Sequence, residues 1–355
     1  MMRRRDFLKT GAAALAAPAG LSLARGAIAA DKPGQLNVLT WGGAWGNALK
    51  EGADADFTAE TGIAVAEDTG TAAVARIDKL KSSLASHSYD VVQLYDALWP
   101  FALAADVIEP IDGKSPRYKN LKDVYPRFIH PHWVATIFSG IGIAFNATQV
   151  KDPPAAFKDL WRPEFKGRVV LPDITDPIGL DLVPIGALAS GKAANDAEAG
   201  FEMLKRMAAL QPIWAKDRLA ATTAFRDGKA VIGIIYASEA PTLQAMGAPV
   251  KWVFPKEGAI SATWGTGIVK GTKSKEWAES YLDLTLAAKN EAPFSKAFGY
   301  AGTNSKELGL LTPELQARVR FSADELKRLV ELDHSFIAQH RVEWTDRWKR
   351  TVGGG

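Results

Sequence analysis

The sequence predicts an α/β fold with parallel strands, divided into two domains. Short apolar runs suited to buried strands alternate with longer segments whose apolar residues recur at helical spacing. Strand–helix–strand order is typical of parallel βαβ units. The chain has 355 residues, 47% of them hydrophobic and 23% charged, which suits a globular protein rather than a disordered one. At about 100–200 residues per domain, this length predicts two domains.

The first part of the mature chain repeats the strand–helix unit three times. Two glycines, Gly42 and Gly43, end the first strand, and Thr61 with Gly62 forms a turn before the second. Ligands of such sheets bind where strands end and helices begin, so 41–45 and 95–96 are the segments of interest. In chain order, strands are predicted at 35–41, 63–66 and 89–94, and helices at 45–57, 71–83 and 97–105.

A second α/β pattern follows, with strands at 138–146, 168–171 and 230–236 and a helix at 197–209. Near the C-terminus, Ser322 and Glu325 have the spacing of a capping box. The apolar residues from Leu326 to Trp348 predict one continuous helix after it.

The first thirty residues have the composition of an export signal. Arg4 and Arg5 begin a twin-arginine pattern, a short apolar stretch follows, and Ala27-Ile-Ala29 is a small-residue cleavage site. The apolar stretch is too short to span a bilayer. Residues 1–29 hold five basic side chains against one acidic one, so removing them changes the net charge from +3 to −1. The basic balance therefore belongs to the signal and does not indicate a nucleic-acid partner.

Signatures of enzymes and metal sites are scarce. The chain has no cysteine, which excludes disulfides, Cys nucleophiles, iron–sulfur clusters and zinc fingers. No nucleophile elbow, Walker loop or dinucleotide fingerprint is present. His130 and His132 flank a proline without a carboxylate at ligand spacing, so we interpret them as a structural pair. We expect no metal, no cofactor and no catalytic residue.

Several residues have the chemistry to hold an organic cation. Trp41, Trp264 and Tyr300 each lie beside a glycine in a predicted loop or strand end. Aromatic faces and carboxylates both bind ammonium groups. Asp173 and Asp176 either belong to such a site or cap a helix beginning near Pro177, since Asp caps and an initial Pro are both favoured.

Seven short segments, taken in order, resemble the periplasmic substrate-binding components of ABC transporters, most nearly the spermidine/putrescine-binding group. The resemblance implies a periplasmic-binding-protein type II-like fold, in which two α/β lobes are joined by crossing strands around a ligand cleft. One lobe would hold 30–142 and about 264–310; the other would hold about 143–263 and 311–355. The segments are 57–63, 89–92, 107–112, 142–146, 159–167, 253–258 and 298–300.

The resemblance also implies a set of ligand-binding residues. Some follow the first and third predicted strands. Others begin a helix of the second lobe or end one of its strands, and the last follows the Phe-Gly pair at 298–299. These residues are Trp41, Gly42, Gly43, Tyr95, Asp96, Asp173, Asp176, Tyr236, Trp264 and Tyr300.

One departure from the family pattern bears on the ligand. Polyamine binders carry an aspartate shortly after an aromatic residue near 261–266, where this chain has Trp264 but no acid. Either Asp96 compensates, or the ligand has fewer positive charges. A zwitterion such as γ-aminobutyrate would need a cationic partner, for which Arg76 and Arg218 are candidates; otherwise both are surface residues.

The expected function is therefore capture of a small amine-containing ligand in the periplasm. The expected partners are that ligand, an ABC transporter permease in the inner membrane and, during export, the twin-arginine translocase. The protein is expected to be a monomer that performs no covalent chemistry. The alternatives are a zwitterionic ligand, a secreted cofactor enzyme, which the twin-arginine pattern favours, and a ferric-iron binder, which the lack of an adjacent tyrosine pair disfavours.

Overall fold

The computed structural model describes residues 32–73 and 75–353, so the predicted export signal lies outside the described residues. Strands are β1 (Gln35–Leu39), β2 (Ala64–Asp68), β3 (Val91–Tyr95), β4 (Trp133–Asn146), β5 (Val169–Pro172), β6 (Ile213–Ala215), β7 (Ile232–Tyr236), β8 (Val250–Val253), β9 (Ile260–Ile268) and β10 (Ala301–Gly302).

Helices are α1 (Ala44–Glu51), α2 (Ala53–Thr61), α3 (Ala75–Ser83), α4 (Trp99–Ala104), α5 (Leu182–Ala189), α6 (Ala197–Ala208), α7 (Arg218–Arg226), α8 (Glu239–Ala245), α9 (Lys275–Thr285), α10 (Ala288–Phe298), α11 (Pro313–Val319), α12 (Ala323–Arg328) and α13 (His334–Val352). Within the described part of the chain, none of these helices has the length and apolar character needed to cross a membrane.

The strands form one mixed sheet in the order β2-β1-β3-β9-β4-β7-β5-β6, with β8 and β10 also paired to β4. The expected parallel pairing holds for β1 with β2 and β3, and for β5 with β6 and β7. Between these two groups, β9 runs antiparallel to β3 and β4. The parallel strand groups expected from the sequence are therefore joined by antiparallel strands at the centre of the sheet.

The apolar core divides into two large clusters where β4 passes between the strand groups. Phe138 of β4 joins a cluster with Trp99 and Tyr281, whereas Ile143 of the same strand joins one with Phe157. All 14 residues of β4 are buried. The lobe boundaries given above stay a prediction.

Three predicted helices differ from the structure. The helix expected over 45–57 is interrupted at Gly52, where an added Cβ would crowd the backbone of Asn290 on α10. No helix begins near Pro177, because α5 starts at Leu182, so the cap interpretation of Asp173 and Asp176 is wrong.

The C-terminal helix is also wrong as a single element. The capping box at Ser322 is present and begins α12. The chain then extends so that Val330 accepts a hydrogen bond from the backbone N–H of Ser261 at 2.8 Å, and only afterwards does α13 begin. Backbone pairing with β9 outweighs the local helical pattern at this point.

The approach of β7 to β5 yields a stability test. Gly233 lies so close to Val170 that a Cβ would overlap that residue's carbonyl oxygen. We expect Gly233→Ala to lower the free energy of unfolding by about 2–3 kcal/mol, since overpacking must move the backbone. Urea denaturation measures the change. Gly309→Ala is the matched control, because its Cβ would meet no atom within 4 Å; equal midpoints for both variants would contradict the packing argument.

Candidate ligand-binding site

Three predicted aromatic residues come together where strands from both halves of the sheet end. The rings of Trp264 and Tyr300 stack with centroids 4.3 Å apart. Tyr236, the last residue of β7, lies 5.9 Å from Trp264 and 6.4 Å from Tyr300. Gly299 ends α10 at φ 69°, a left-handed conformation that glycine adopts readily, and so directs the chain toward Tyr300. We call Tyr236, Trp264 and Tyr300 the aromatic wall.

A cavity of about 280 Å³ lies against the aromatic wall. Trp41 and Gly42 line it on the side of β1. An added Cβ on Gly42 would lie 3.2 Å from Thr69, and Gly43 has φ 62°, so this loop follows a path that favours glycine at both positions. The complete lining is Trp41, Gly42, Ala44, Trp45, Trp264, Phe298 and Tyr300.

Asp96 is fixed by the backbone around it. Its Oδ2 accepts a hydrogen bond from the backbone N–H of Thr263 at 2.8 Å, and its Oδ1 accepts one from Ala97 at 2.9 Å. The same Oδ1 lies 3.7 Å from Nε2 of His334. Tyr95 precedes it and faces Trp264 across the ladder between β3 and β9. The structure thus connects Asp96 to the strand that carries Trp264.

A further carboxyl group, that of Asp176, lies near Tyr236 of the aromatic wall, and Asp181 lies near Asp96, Asp176 and His334. Burial raises the pKa of Asp176 to about 6, and Asp176 in turn raises the pKa of Tyr236. Burial raises the pKa of Asp181 to about 7, although nearby His334 partly offsets it. Asp181 is only 5% exposed, and no described residue donates a hydrogen bond to its carboxylate.

The Oδ1 of Asp176 accepts a hydrogen bond from the backbone N–H of Ile178 at 3.0 Å, and Asp173 lies in a similar local turn. The Oδ1 of Asp173 accepts hydrogen bonds from the backbone N–H and the hydroxyl of Thr175, at 2.8 and 2.9 Å. Its carboxylate is therefore occupied in a local turn. Of the predicted acids, Asp96 and Asp176 are the ones whose charges reach Tyr236.

His334 is a buried cation between carboxylates. Burial alone would lower its pKa, but Asp96, Asp181 and Glu331 outweigh that effect and raise the pKa to about 9. Its side chain is 11% exposed. At neutral pH it therefore carries a positive charge that partly neutralises Asp96 and Asp181.

Arg218 contacts the aromatic wall directly. Its Nη1 donates a hydrogen bond of 2.7 Å to the hydroxyl of Tyr300, and its Nε forms an ion pair with Glu239. The guanidinium lies 5.7 Å from the ring of Tyr236. Burial raises the pKa of Glu239 to about 7 in spite of the arginine. The side chain of Arg218 remains 39% exposed.

Arg76 occupies a different environment from the one expected for a surface residue. It is fully buried, and its guanidinium lies 4.1 Å from the ring centroid of Trp41. The surface interpretation of Arg76 is wrong, because the strand ends that it contacts cover it.

A larger cavity of about 450 Å³ lies between α4 and the start of α13, and Asp96 and His334 contribute to its wall. His130 lines it and stacks on Trp133 at 3.8 Å. Burial lowers the pKa of His130 to about 4. The described residues contain no group of three or more side chains suited to a metal ion.

Residues 52–323 match the family of bacterial extracellular solute-binding proteins. The chain belongs to this family. The spermidine/putrescine-binding periplasmic protein of Escherichia coli (strain K12) is 26% identical over 309 residues, which covers 85% of this chain and 86% of that protein.

Solved structures agree with this assignment. The crystal structure of an ABC transporter from Clostridium perfringens ATCC 13124 gives a TM-score of 0.79 at 22% identity and covers 90% of this chain and 100% of that one. The structure of the Atu4243–GABA receptor gives 0.75 at 24% identity and covers 90% and 97%. These likenesses confirm the predicted fold class, and the family match confirms the resemblance drawn from the seven segments.

Asp181, His334 and Glu239 carry no clear local signal of a site residue. Asp181 precedes α5 and His334 is the first residue of α13, positions that usually indicate helix capping. Only their distant neighbours, Asp96 for His334 and Arg218 for Glu239, distinguish them from ordinary helix starts. Arg218, a predicted candidate for binding a ligand carboxylate, lies beside Tyr300.

The raised pKa of His334 predicts a pH-dependent stability. The folded pKa of about 9 exceeds the ordinary value of 6.5, so the folded state binds the proton more tightly. This contribution, about 3 kcal/mol, is complete below pH 6.5 and is lost as the pH rises through 9. We expect His334→Gln to be destabilised relative to wild type at pH 6 and to approach it near pH 10, as measured by urea unfolding.

His340→Gln, further along α13, provides the matched control and should show no such convergence. If the difference between wild type and His334→Gln does not change from pH 6 to 10, the charge assigned to His334 is wrong.

Proposed function

We propose that this solute-binding protein captures a small amine-containing molecule in the periplasm and delivers it to the permease of an ABC transporter. The observation that carries the proposal is the aromatic wall with the carboxylates of Asp96 and Asp176 near Tyr236, and with Asp181 near those two acids. Each cation–π contact contributes about 0.5–2 kcal/mol, and each charged hydrogen bond about 1.5–3. A few of each reach the roughly 8 kcal/mol of a micromolar site.

The mechanism follows from where the residues lie. Trp264 is carried on β9 and Tyr300 follows α10, whereas Tyr236 ends β7 and Asp181 precedes α5. A ligand that touches both groups stabilises the arrangement in which they are close. The permease then receives the ligand from this closed form. Export through the twin-arginine translocase and a monomeric state belong to the same proposal.

The names of similar proteins support an amine-containing ligand. The relative from Escherichia coli is named for spermidine and putrescine, and the Atu4243 structure is named a GABA receptor. All three molecules carry an amine, whereas only γ-aminobutyrate also carries a carboxylate.

A zwitterionic ligand is the second candidate, and Arg218 is the observation that favours it. The guanidinium beside Tyr300 can hold a ligand carboxylate. The amine would then bind at the buried carboxylates. An ω-amino acid with these two groups would use both charges of the site.

Asp181 provides the first binding test. We expect Asp181→Asn to weaken γ-aminobutyrate and n-butylamine by about 10–100-fold, since a charged hydrogen bond is lost. Calorimetry in buffers of different ionisation enthalpy should also show proton release on binding to wild type near pH 7, because an ammonium lowers the raised pKa of Asp181.

Asp106→Asn is the control for this test, since Asp106 has the same charge but a side chain that is 77% exposed. Unchanged affinity and unchanged proton release in Asp181→Asn would remove Asp181 from the site. If wild type binds no amine, the proposed function itself fails.

Arg218 provides the second test. We expect Arg218→Met to weaken γ-aminobutyrate by about tenfold or more and to leave n-butylamine, which lacks a carboxylate, within about threefold. Arg226→Met, at the exposed end of α7, should change neither. An equal loss for both ligands in Arg218→Met would show that Arg218 only supports the wall.

A further inference from the structure

Arg76 is a buried cation without an ionic partner among the described residues. It belongs to α3 and has no exposed surface. Its guanidinium donates hydrogen bonds to three backbone carbonyls, those of Thr40 at 2.5 Å, Gln93 at 2.9 Å and Thr71 at 3.4 Å. Arginine is seldom buried without a carboxylate, so this environment calls for an explanation beyond packing.

Two of these carbonyls belong to segments that lead into the site: Thr40 directly follows β1, and Gln93 lies within β3. Thr40 directly precedes Trp41, and Gln93 lies two residues before Tyr95. The side chain of Gln93 adds to this link, because its Oε1 accepts hydrogen bonds from the hydroxyl of Thr40 and the indole N–H of Trp45. Arg76 therefore fixes the end of β1 against β3.

Arg76 also places its charge against a ring of the site. Its guanidinium lies 4.1 Å from the centroid of Trp41, and Trp41 lines the smaller cavity. Burial lowers the pKa of Arg76 only to about 10, so the group stays protonated at neutral pH. The ring of Trp41 therefore already makes a cation–π contact with the guanidinium of Arg76.

A second cation on the same ring is disfavoured. Cation–π contact requires an ammonium within about 6 Å of the centroid, which would put it about 10 Å or less from the guanidinium. Charges that are buried are poorly screened by salt. None of the residues that line this cavity is acidic, and Asp68, the acid whose charge acts on Arg76, is already paired with Lys79. The acids of the site lie instead near Tyr236.

We propose that Arg76 is a positioning residue that sets ligand selectivity through Trp41: it makes the Trp41 end of the cleft accept a neutral or anionic group, so that the ligand amine binds at Asp176 and Asp181. The proposal rests on the proposed capture of an amine. In this arrangement, one end of the cleft binds the ligand amine and the end at Trp41 disfavours a second cation. The protein therefore selects monoamines and ω-amino acids over diamines.

Three probes of similar length test this polarity in wild type: putrescine, n-butylamine and γ-aminobutyrate, each titrated by calorimetry. We expect putrescine to bind at least about tenfold more weakly than n-butylamine, because its second ammonium would face Trp41. Putrescine binding as tight as n-butylamine overturns the inference and leaves amine capture intact. Binding of none of the three overturns both.

Arg76→Gln and Arg76→Lys form a matched pair, because both lose the guanidinium fork and only Lys keeps the charge. We expect Arg76→Gln to improve putrescine relative to n-butylamine by about tenfold and Arg76→Lys to keep the wild-type ratio within about threefold. A purely structural role would shift both ligands equally in both variants, which overturns the inference. The improvement of putrescine relative to n-butylamine in Arg76→Gln must persist in the double variant with Arg218→Met. If the improvement disappeared there, Arg218 rather than Arg76 would explain it, and the inference would be overturned.

Discussion

The antiparallel pairing of β4 with β9 is the constraint on which the site depends. The two strands pair from Trp133 to Ile141 of β4, and each has a further neighbour that carries a site residue. β3, which ends at Tyr95, pairs with β9, while β7, which ends at Tyr236, pairs with β4. The distances across the aromatic wall are therefore set by backbone hydrogen bonds rather than by loops.

Much of the fold could be predicted because local periodicity and burial agreed. The helix predicted over 197–209 is Ala197–Ala208, and the strand over 230–236 is Ile232–Tyr236. The antiparallel centre could not be predicted, since strand direction depends on partners far along the chain. The break before α13 has the same origin: Val330 bonds to Ser261 of β9, and no local pattern contains that contact.

The site was partly predictable for a related reason. Trp264 and Tyr300 stand beside glycines, which predicts an aromatic residue in a loop; this is wrong for Trp264, which lies within β9 and stacks on Tyr300. Asp181 and His334 have only the local signal of helix starts. Their importance arises from burial, which raises the pKa of Asp181, and from carboxylates on other elements, which raise the pKa of His334. Charge networks of this kind are tertiary properties.

β9 also separates the two cavities, and its side chains face them alternately. Trp264 lines the smaller cavity, whereas Ser261 and Thr263, at odd spacing from it, line the larger one, as the alternation of side chains along a strand requires. A movement of β9 toward one cavity is a movement away from the other. Filling the smaller cavity is therefore linked to the shape of the larger one, because the backbone N–H of Thr263 on β9 donates a hydrogen bond to the carboxylate of Asp96, which lines the larger cavity.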